Sequence, residues 1–271
     1  MLLIPLHIIL LNYITYPHPK SNQWVTFIHG AGGSYITWFK QIKAFNNHFN
    51  VLLLDLRGHG NSAGSLTLGN TNYTFDFLAN DIIELLDFLE IKKSHFVAIS
   101  LGTIILRQLA DKNPERVHSM ILAGAIMQLN FRSKILVAIG NTFKTLIPYL
   151  TLYTFFAYII MPRKNHKSSR DVFIKEAKKL NQKEFIRWFC LANQVNPLLK
   201  SFRKNELKIP IFYISGDQDA MFLPSIKELV KAQKSYSSLI VFDNCGHVVN
   251  LDKAYLFNKK SVEFITKLKL S

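Results

Sequence analysis

The sequence predicts an α/β fold in which a mostly parallel central sheet carries helices on both faces and an inserted helical cap. Apolar runs of strand length alternate with stretches whose apolar residues recur at helical spacing, a pattern typical of parallel strands joined by right-handed crossovers. After Ala123 the alternation stops for about eighty residues, until Ile211, which is too long for a bare loop in a compact domain. With 271 residues, 49% of them hydrophobic and 19% charged, the chain fits one packed domain with an insertion.

The amino-terminal stretch Met1 to Leu11 is apolar but lacks the basic start and the small-residue cleavage site of a signal peptide. We expect it to belong to antiparallel entry strands that continue through Tyr16, with a noncleaved membrane anchor as the alternative. The clearest helix is Phe75 to Glu90, where apolar residues recur at spacings of three and four. The other strands are predicted at six apolar runs: Trp24 to Ile28, Val51 to Asp55, His95 to Ile99, Ser119 to Ala123, Ile211 to Ser215 and Leu239 to Phe242.

The insertion is assigned to residues 128–205, a helical cap between two segments of the α/β core, residues 1–127 and 206–271. Within the cap, Thr145 to Pro162 is uncharged and rich in aromatic residues. Its length approaches the ~20 residues that cross a bilayer, but Pro148 and the polar side chains argue against a spanning helix. We expect a buried lid helix that lines an acyl pocket, with a lid face that touches a membrane surface as the alternative.

Ser100 lies between a strand-like run, Ser94 to Ile99, and a helical one, Leu101 to Lys112. A serine at such a turn takes strained backbone geometry that exposes its hydroxyl above the edge of the sheet, as a nucleophile requires. The flanking Ala98 and Gly102 are small, which suits a strand and a helix that pass close together. The run matches the nucleophile elbow G-x-S-x-G, with Ala98 in place of the first glycine.

The segment His29 to Gly33 directly follows the first of the six strand-like runs. Its glycines let backbone amides turn toward a ligand, and an oxyanion hole needs two such amides aimed where negative charge develops. We expect the N–H groups of Ala31 and Leu101 to be these donors. A plain glycine-rich turn is the alternative.

Two later segments could complete a nucleophilic site. His247 follows the last strand-like run, on a loop that could bring its ring over the carboxyl edge of the sheet to Ser100. Asp217 and Asp219 follow the strand-like run before it, and a buried carboxylate there would hold the histidine in its productive tautomer. The chain order is then Ser, Asp, His.

With these motifs in this order, the chain resembles an α/β-hydrolase of the esterase and lipase type that carries a helical cap. The resemblance runs from about Trp24 to the C-terminal helix and includes Asp55 to Ser62, similar to the family loop D-x-R-G-x-G-x-S. It implies that Ser100 is the nucleophile, His247 the general base and Asp219 the orienting acid.

The family's acid usually takes the last place of a G-x-x-D turn, here Gly216 to Asp219. Asp217 lies on the same short loop and stays a rival for this role. The resemblance also gives packing and loop-shaping roles to four residues: His29, Asp55, Arg57 and His59.

The chain has a net charge of +15, and its lysines are scattered along the sequence, so we expect a solvated basic surface. No nucleic-acid motif or basic region with interleaved aromatic residues is present, so we expect no nucleic-acid partner; an anionic membrane or an acidic substrate is a lesser alternative. Cys190 and Cys245 form no disulfide framework and fit a cytoplasmic protein. No zinc-type spacing of ligands occurs, so we expect neither a metal nor another cofactor.

These observations predict a serine hydrolase that cleaves small carboxylic esters with a hydrophobic acyl or alcohol part through an acyl-enzyme. One alternative is a hydrolase or lyase that cleaves a carbon–carbon bond of a keto acid, which needs cationic groups at the pocket. Arg187 and Trp188 of the cap could face the pocket, or equally be an exposed arginine beside a packed aromatic residue. The other is a noncatalytic binding or signalling protein that keeps the fold as a ligand pocket. The oligomeric state stays open.

Overall fold

The computed structural model describes residues 11–63 and 73–268. Its seven strands are β1 Tyr13–Tyr16, β2 Trp24–Ile28, β3 Asn50–Leu54, β4 Ser94–Ile99, β5 Val117–Ala123, β6 Ile211–Gly216 and β7 Ser237–Phe242. They form one sheet in the order β1-β3-β2-β4-β5-β6-β7. β1 pairs antiparallel with β3, and all other neighbours are parallel. The mostly parallel sheet predicted from the alternation is confirmed.

The structure describes only part of the stretch for which antiparallel entry strands are predicted. β1 lies at the edge of the sheet and is antiparallel, with Tyr13 opposite Leu54 and Tyr16 opposite Val51. Residues 1–10 of the predicted stretch lie outside the described residues.

Eleven α-helices accompany the strands in the described residues. Those of the core are α1 Ile42–Asn46, α2 Phe75–Phe88, α3 Leu101–Lys112, α9 Leu223–Ala232, α10 Val249–Asp252 and α11 Ala254–Lys267. Those between β5 and β6 are α4 Phe131–Phe143, α5 Tyr149–Ile160, α6 Lys167–Ala177, α7 Gln182–Cys190 and α8 Ala192–Lys204. Short 3₁₀ turns lie at Tyr35–Trp38, Gly60–Ser62, Pro114–Arg116 and Lys164–His166.

The core consists of two apolar layers, one on each face of the sheet. Successive side chains of a strand point to opposite faces, so Phe96 and Ala98 of β4 pack in one layer and Val97 and Ile99 in the other. The first layer contains the apolar faces of α2 and α3, and the second contains that of α11. Strands buried on both faces explain why the sequence shows apolar runs rather than alternation.

The segment between β5 and β6, which we call the cap, contains α4 to α8, and its side chains bond to the rest of the chain at several points. The Ser34 hydroxyl donates to Glu176 at 2.5 Å, and the Tyr73 hydroxyl donates to Glu184 at 2.6 Å. The indole N–H of Trp188 donates to a backbone carbonyl of the core at 3.0 Å. Within residues 11–63 and 73–268 every helix is too short or too polar to span a bilayer, and α5 has twelve residues.

Candidate active site

Ser100 lies on a strained turn between β4 and α3, at the carboxyl edge of the sheet. Its φ of 53° and ψ of −125° are in a region that non-glycine residues rarely adopt. The Ser100 N–H donates to the Ala123 carbonyl at 3.0 Å, which fixes the turn against β5. A Cβ on Gly102 would lie 2.5 Å from the His29 carbonyl oxygen, so only glycine fits there. The turn therefore presents the Ser100 hydroxyl above the sheet.

His247 reaches Ser100 from the loop between β7 and α10. Its Nε2 lies 2.9 Å from the Ser100 Oγ, and its Nδ1 lies 2.8 Å from an Asp219 carboxylate oxygen, Oδ2. The loop packs closely on the end of β5, because a Cβ on Gly124 would lie 2.5 Å from the His247 carbonyl oxygen. With Nδ1–H donating to the carboxylate, Nε2 is left to accept the serine proton.

Of the two acids on the turn after β6, the structure brings Asp219 to the imidazole. The Asp219 side chain is buried, and its second oxygen, Oδ1, accepts the Phe222 backbone N–H at 3.2 Å. Asp217 is exposed and instead accepts the Cys245 backbone N–H at 3.1 Å. This hydrogen bond lowers the pKa of Asp217 below its usual value. Asp217 thus orders the turn without touching the ring of His247.

The Ala31 and Leu101 backbone N–H groups have no hydrogen-bond partner among the described residues. Both residues line the cavity beside Ser100. The Tyr153 hydroxyl of α5 donates to the Ala31 carbonyl at 2.9 Å, so the cap holds the loop from outside. Nothing in the sequence distinguishes Tyr153 from the other tyrosines of its apolar stretch.

Two buried histidines support the loop that carries Ala31. The His29 Nε2 accepts the Leu56 N–H, and the His59 Nε2 accepts the Gly32 N–H, each at 2.9 Å. Burial lowers the pKa of His29 to about 4 and that of His59 to about 3. Both rings therefore stay neutral near pH 7 and act as hydrogen-bond acceptors for the backbone.

Asp55 and Arg57, on the turn that follows β3, also make buried polar contacts. Asp55 accepts the backbone N–H groups of Tyr35 and Asn61, each at 2.8 Å. Arg57 pairs through two nitrogens with the carboxylate of Asp81 in a buried contact. These bonds hold together the turn that follows β3.

An apolar cavity of about 220 Å³ lies between the cap and the carboxyl edge of the sheet. Its walls include Leu101 and Phe222 from the core and Leu136, Phe156 and Trp188 from the cap. No Lys, Arg, Asp or Glu occurs among the described residues that line it. A cavity of this composition favours an uncharged, hydrophobic ligand group next to Leu101, the residue that follows Ser100.

Arg187 and Trp188, the two cap residues considered as pocket contacts, have different positions. Trp188 lines the cavity. Arg187 points elsewhere: its guanidinium pairs with Glu184 at 2.5 Å and lies over the ring of Tyr73. The expectation that Arg187 could face the pocket is not met by this geometry.

A second histidine–serine pair, His95 with Ser119, lies at the opposite end of the sheet. His95 and Ser119 face each other across β4 and β5, with Nδ1 and Oγ 2.8 Å apart, and both are fully buried. The other ring nitrogen of His95 has no partner among the described residues, and burial lowers its pKa to about 3. Neither side chain is bonded to a carboxylate in the part of the chain that the structure describes, so the pair lacks the orienting acid that Asp219 gives His247.

The described residues contain no group of three or more His, Cys, Asp or Glu side chains placed to hold a metal ion. Cys190 and Cys245 are free thiols. Burial raises the pKa of the Cys245 thiol to about 12, so it is protonated and unreactive near neutral pH.

Comparison with known proteins supports the architecture. A family model described as the alpha/beta hydrolase fold matches residues 23–146. A RutD protein of Agrobacterium fabrum, named for carbamate hydrolysis, is 24% identical over 87% of this chain and 90% of its own length. A 3-oxoadipate enol-lactonase of Acinetobacter baylyi is 34% identical, but over 44% of this chain and 43% of its own length.

Among solved structures, the meta-cleavage product hydrolase CumD of Pseudomonas fluorescens superposes with a TM-score of 0.75 at 24% identity. The match covers 95% of this chain and 94% of that protein. At this identity the likeness shows a shared fold and leaves the reaction open.

Proposed function

We propose that the chain is a serine hydrolase of the α/β-hydrolase superfamily, whose family model matches residues 23–146, and that it cleaves carboxylic esters with a hydrophobic acyl or alcohol part. The observation that carries the proposal is the hydrogen-bonded line from Ser100 through His247 to Asp219 beside an apolar cavity. A nucleophile, a base in reach of it and a carboxylate that orients the base are the parts that acyl transfer needs.

In the proposed reaction the Ser100 Oγ attacks the ester carbonyl while the His247 Nε2 takes the hydroxyl proton. Asp219 stabilises the imidazolium that forms. His247 then gives this proton to the leaving alcohol, and an acyl group remains on Ser100. A water molecule then attacks the acyl-enzyme while His247 takes its proton. His247 returns this proton to the Ser100 Oγ as the bond to the acyl group breaks and the acid leaves.

The N–H groups of Ala31 and Leu101 are proposed to hold the oxyanion of each tetrahedral intermediate. Their lack of other partners supports this role, because preorganised donors do not have to break a hydrogen bond before they stabilise charge. Removal of one such donor costs on the order of 3 kcal/mol in enzymes of this type.

The cavity suggests which esters fit best. Its volume of about 220 Å³ is below the ~300–1,000 Å³ of sites for drug-sized ligands. Its apolar walls stabilise a buried chain by about 0.8 kcal/mol per CH₂ group. We therefore expect p-nitrophenyl butyrate and hexanoate to be turned over faster than either the acetate or long-chain esters.

Carbon–carbon cleavage of keto acids is a weaker alternative for this chain. The carboxylate of a keto acid needs a cationic partner, and the described residues that line the cavity include none. Lactones and carbamates, which the names of the relatives suggest, contain the same kind of acyl carbon as an ester and belong in the same substrate panel.

Hydrolysis of p-nitrophenyl esters by the purified native protein tests the proposal, with Ser100→Ala as the inactive variant. Ser119→Ala is the matched control, since Ser119 is also bonded to a histidine but lies at the other end of the sheet. We expect activity in the native protein and in Ser119→Ala, and none above background in Ser100→Ala. Equal activity in the native protein and Ser100→Ala would contradict the proposal, and turnover of a keto-acid dienoate alone would favour the alternative.

A further inference from the structure

The positive charge of the chain is concentrated in the cap. Residues 128–205 contain fifteen Lys and Arg but three Asp and Glu, which gives a net charge of +12 out of +15 for the whole chain. The rest of the chain is close to neutral for its size, at +3. The lysines themselves are scattered along the chain, with ten of the 25 in residues 128–205, so the excess positive charge of the cap reflects its few acidic residues.

The outer face of α4 is apolar as well as exposed. Phe131 and Ile135, one helical turn apart, both face solvent, and Phe131 is 77% exposed. Leu136 and Val137, on the other side of the helix, line the cavity. Leu146, just after α4, is 76% exposed. Burial of the cavity side thus leaves a second apolar surface that nothing in the chain's described part covers.

The helix α5 repeats this arrangement. Phe155 and Tyr158 are exposed, whereas Tyr153 and Phe156 line the cavity. Because α4 and α5 both turn their inner faces to the same cavity, their outer faces lie on the outside of the cap. Each outer face is thus an exposed apolar strip on the most basic part of the protein.

Three exposed cations lie on or next to α4 and α5, and they have no carboxylate partner among the described residues. Arg132 and Lys134 are exposed on α4, and Lys164 is exposed after α5. None of the three forms an ion pair with another described residue. Their charge is therefore free to meet an anionic partner.

We propose that the outer faces of α4 and α5 dock on a membrane surface that contains anionic lipid. Exposed aromatic and aliphatic side chains interleaved with cations are the features of helices that lie in the plane of a bilayer interface. Each Lys or Arg near such a surface contributes attraction to anionic headgroups. Nucleic acid would use the charge but would leave Ile135 and Leu146 exposed, so a bilayer fits both observations better. The proposal does not depend on the reaction at Ser100.

Flotation with lipid vesicles tests this proposal on the full chain. The native protein should bind vesicles of phosphatidylcholine and phosphatidylglycerol, bind phosphatidylcholine vesicles much less, and dissociate near 1 M salt, where the Debye length is ~3 Å. The double variant Phe131→Ser, Leu146→Ser should bind anionic vesicles at least about tenfold more weakly. The variant Arg132→Glu, Lys164→Glu should also bind anionic vesicles about tenfold more weakly than the native protein.

Matched controls come from the core. Tyr255 is 75% exposed and Phe88 is 55% exposed, so Tyr255→Ser, Phe88→Ser removes as much exposed apolar surface far from the cap. Lys227→Glu, Lys259→Glu makes the same charge change on α9 and α11. Both controls should bind as the native protein does. The unfolding midpoint and p-nitrophenyl ester turnover should be native in all four variants, which separates docking from folding and catalysis.

Three results would overturn the proposal. One is a native protein that does not bind anionic vesicles. Another is equal loss of binding in cap and core variants, which would indicate nonspecific attraction to net charge. The third is binding to a DNA duplex that depends on Arg132 and Lys164 but not on Phe131 and Leu146, which would make the cap a polyanion site rather than a lipid surface.

Discussion

Replacement of the Asp219 carboxylate by an amide is predicted to disable His247 while leaving the fold intact. In the structure one carboxylate oxygen accepts the Phe222 N–H at 3.2 Å and the other accepts from His247 at 2.8 Å. In Asp219→Asn the amide oxygen should keep the bond to Phe222, so the NH₂ group faces the Nδ1 of His247. The ring must then accept at Nδ1 and carry its proton on Nε2, where it cannot accept the proton of Ser100.

The size of this effect follows from the alternatives open to the amide. Rotating the amide would restore the productive tautomer but would leave the buried Phe222 N–H without an acceptor, at a cost of about 1–3 kcal/mol. That cost alone makes the productive form roughly 5–150-fold rarer. Loss of the negative charge that stabilises the imidazolium adds to it, and the same change in a serine protease lowers kcat by about 10⁴. We therefore expect kcat to fall by more than the amide rotation alone would cause and by no more than about 10⁴-fold.

The assay is p-nitrophenyl butyrate hydrolysis, with Asp217→Asn as the matched control on the same turn. An amide at Asp217 keeps its oxygen for the Cys245 N–H, so this variant should retain nearly native kcat. Circular dichroism should show that both variants are folded. Native rates in Asp219→Asn together with a collapse in Asp217→Asn would refute the assignment of the acid.

Three further predictions concern residues around the site. Tyr153→Phe removes the hydroxyl that holds the Ala31 carbonyl and should lower kcat roughly two- to tenfold with little change in KM; an unchanged kcat would show that the loop needs no support from the cap. Gly102→Ala places a Cβ 2.5 Å from the His29 carbonyl oxygen and should lower the free energy of unfolding by about 1–3 kcal/mol in urea titration, whereas native stability would contradict the close approach. His95 has a pKa lowered by burial to about 3, below the ~6.5 of an unfolded histidine. The unfolded chain therefore binds this proton first, and the free energy of unfolding should fall as pH drops from 6.5 toward 3, by about 2 kcal/mol at pH 5. A His95→Gln variant should lose that part of the pH dependence, and an identical pH profile would contradict it.

Much of the core architecture could be predicted because strands buried on both faces leave unambiguous apolar runs. β2 begins and ends at the residues predicted for it, Trp24 and Ile28. The glycines and small residues around Ser100 also carry the signal of the turn, since only small side chains fit where a strand and a helix pass so closely.

The choice between Asp217 and Asp219 could not be made from the sequence. Both acids lie on one short turn, and the side-chain direction depends on backbone hydrogen bonds that the turn makes with the His247 loop. The contact of the Tyr153 hydroxyl could not be predicted either, because an apolar stretch with several tyrosines does not show which hydroxyl bonds to the core.

The charge of the cap, by contrast, was present in the sequence. Its concentration appears once acidic residues are counted as well as lysines, since residues 128–205 have only three Asp and Glu. The outer apolar face needed the structure, because Phe131 and Leu136 have the same polarity and only their contacts tell the inside of the cap from the outside.

Mass spectrometry of the native protein after reaction with a fluorophosphonate tests most directly whether Ser100 is an activated nucleophile. The probe bonds covalently to a serine Oγ with loss of fluoride, and the reaction needs the base and the oxyanion donors as well as the hydroxyl. We predict one adduct per chain, on the peptide that contains Ser100, and almost none in His247→Ala. An unlabelled native protein, or a label on another serine, would contradict the account.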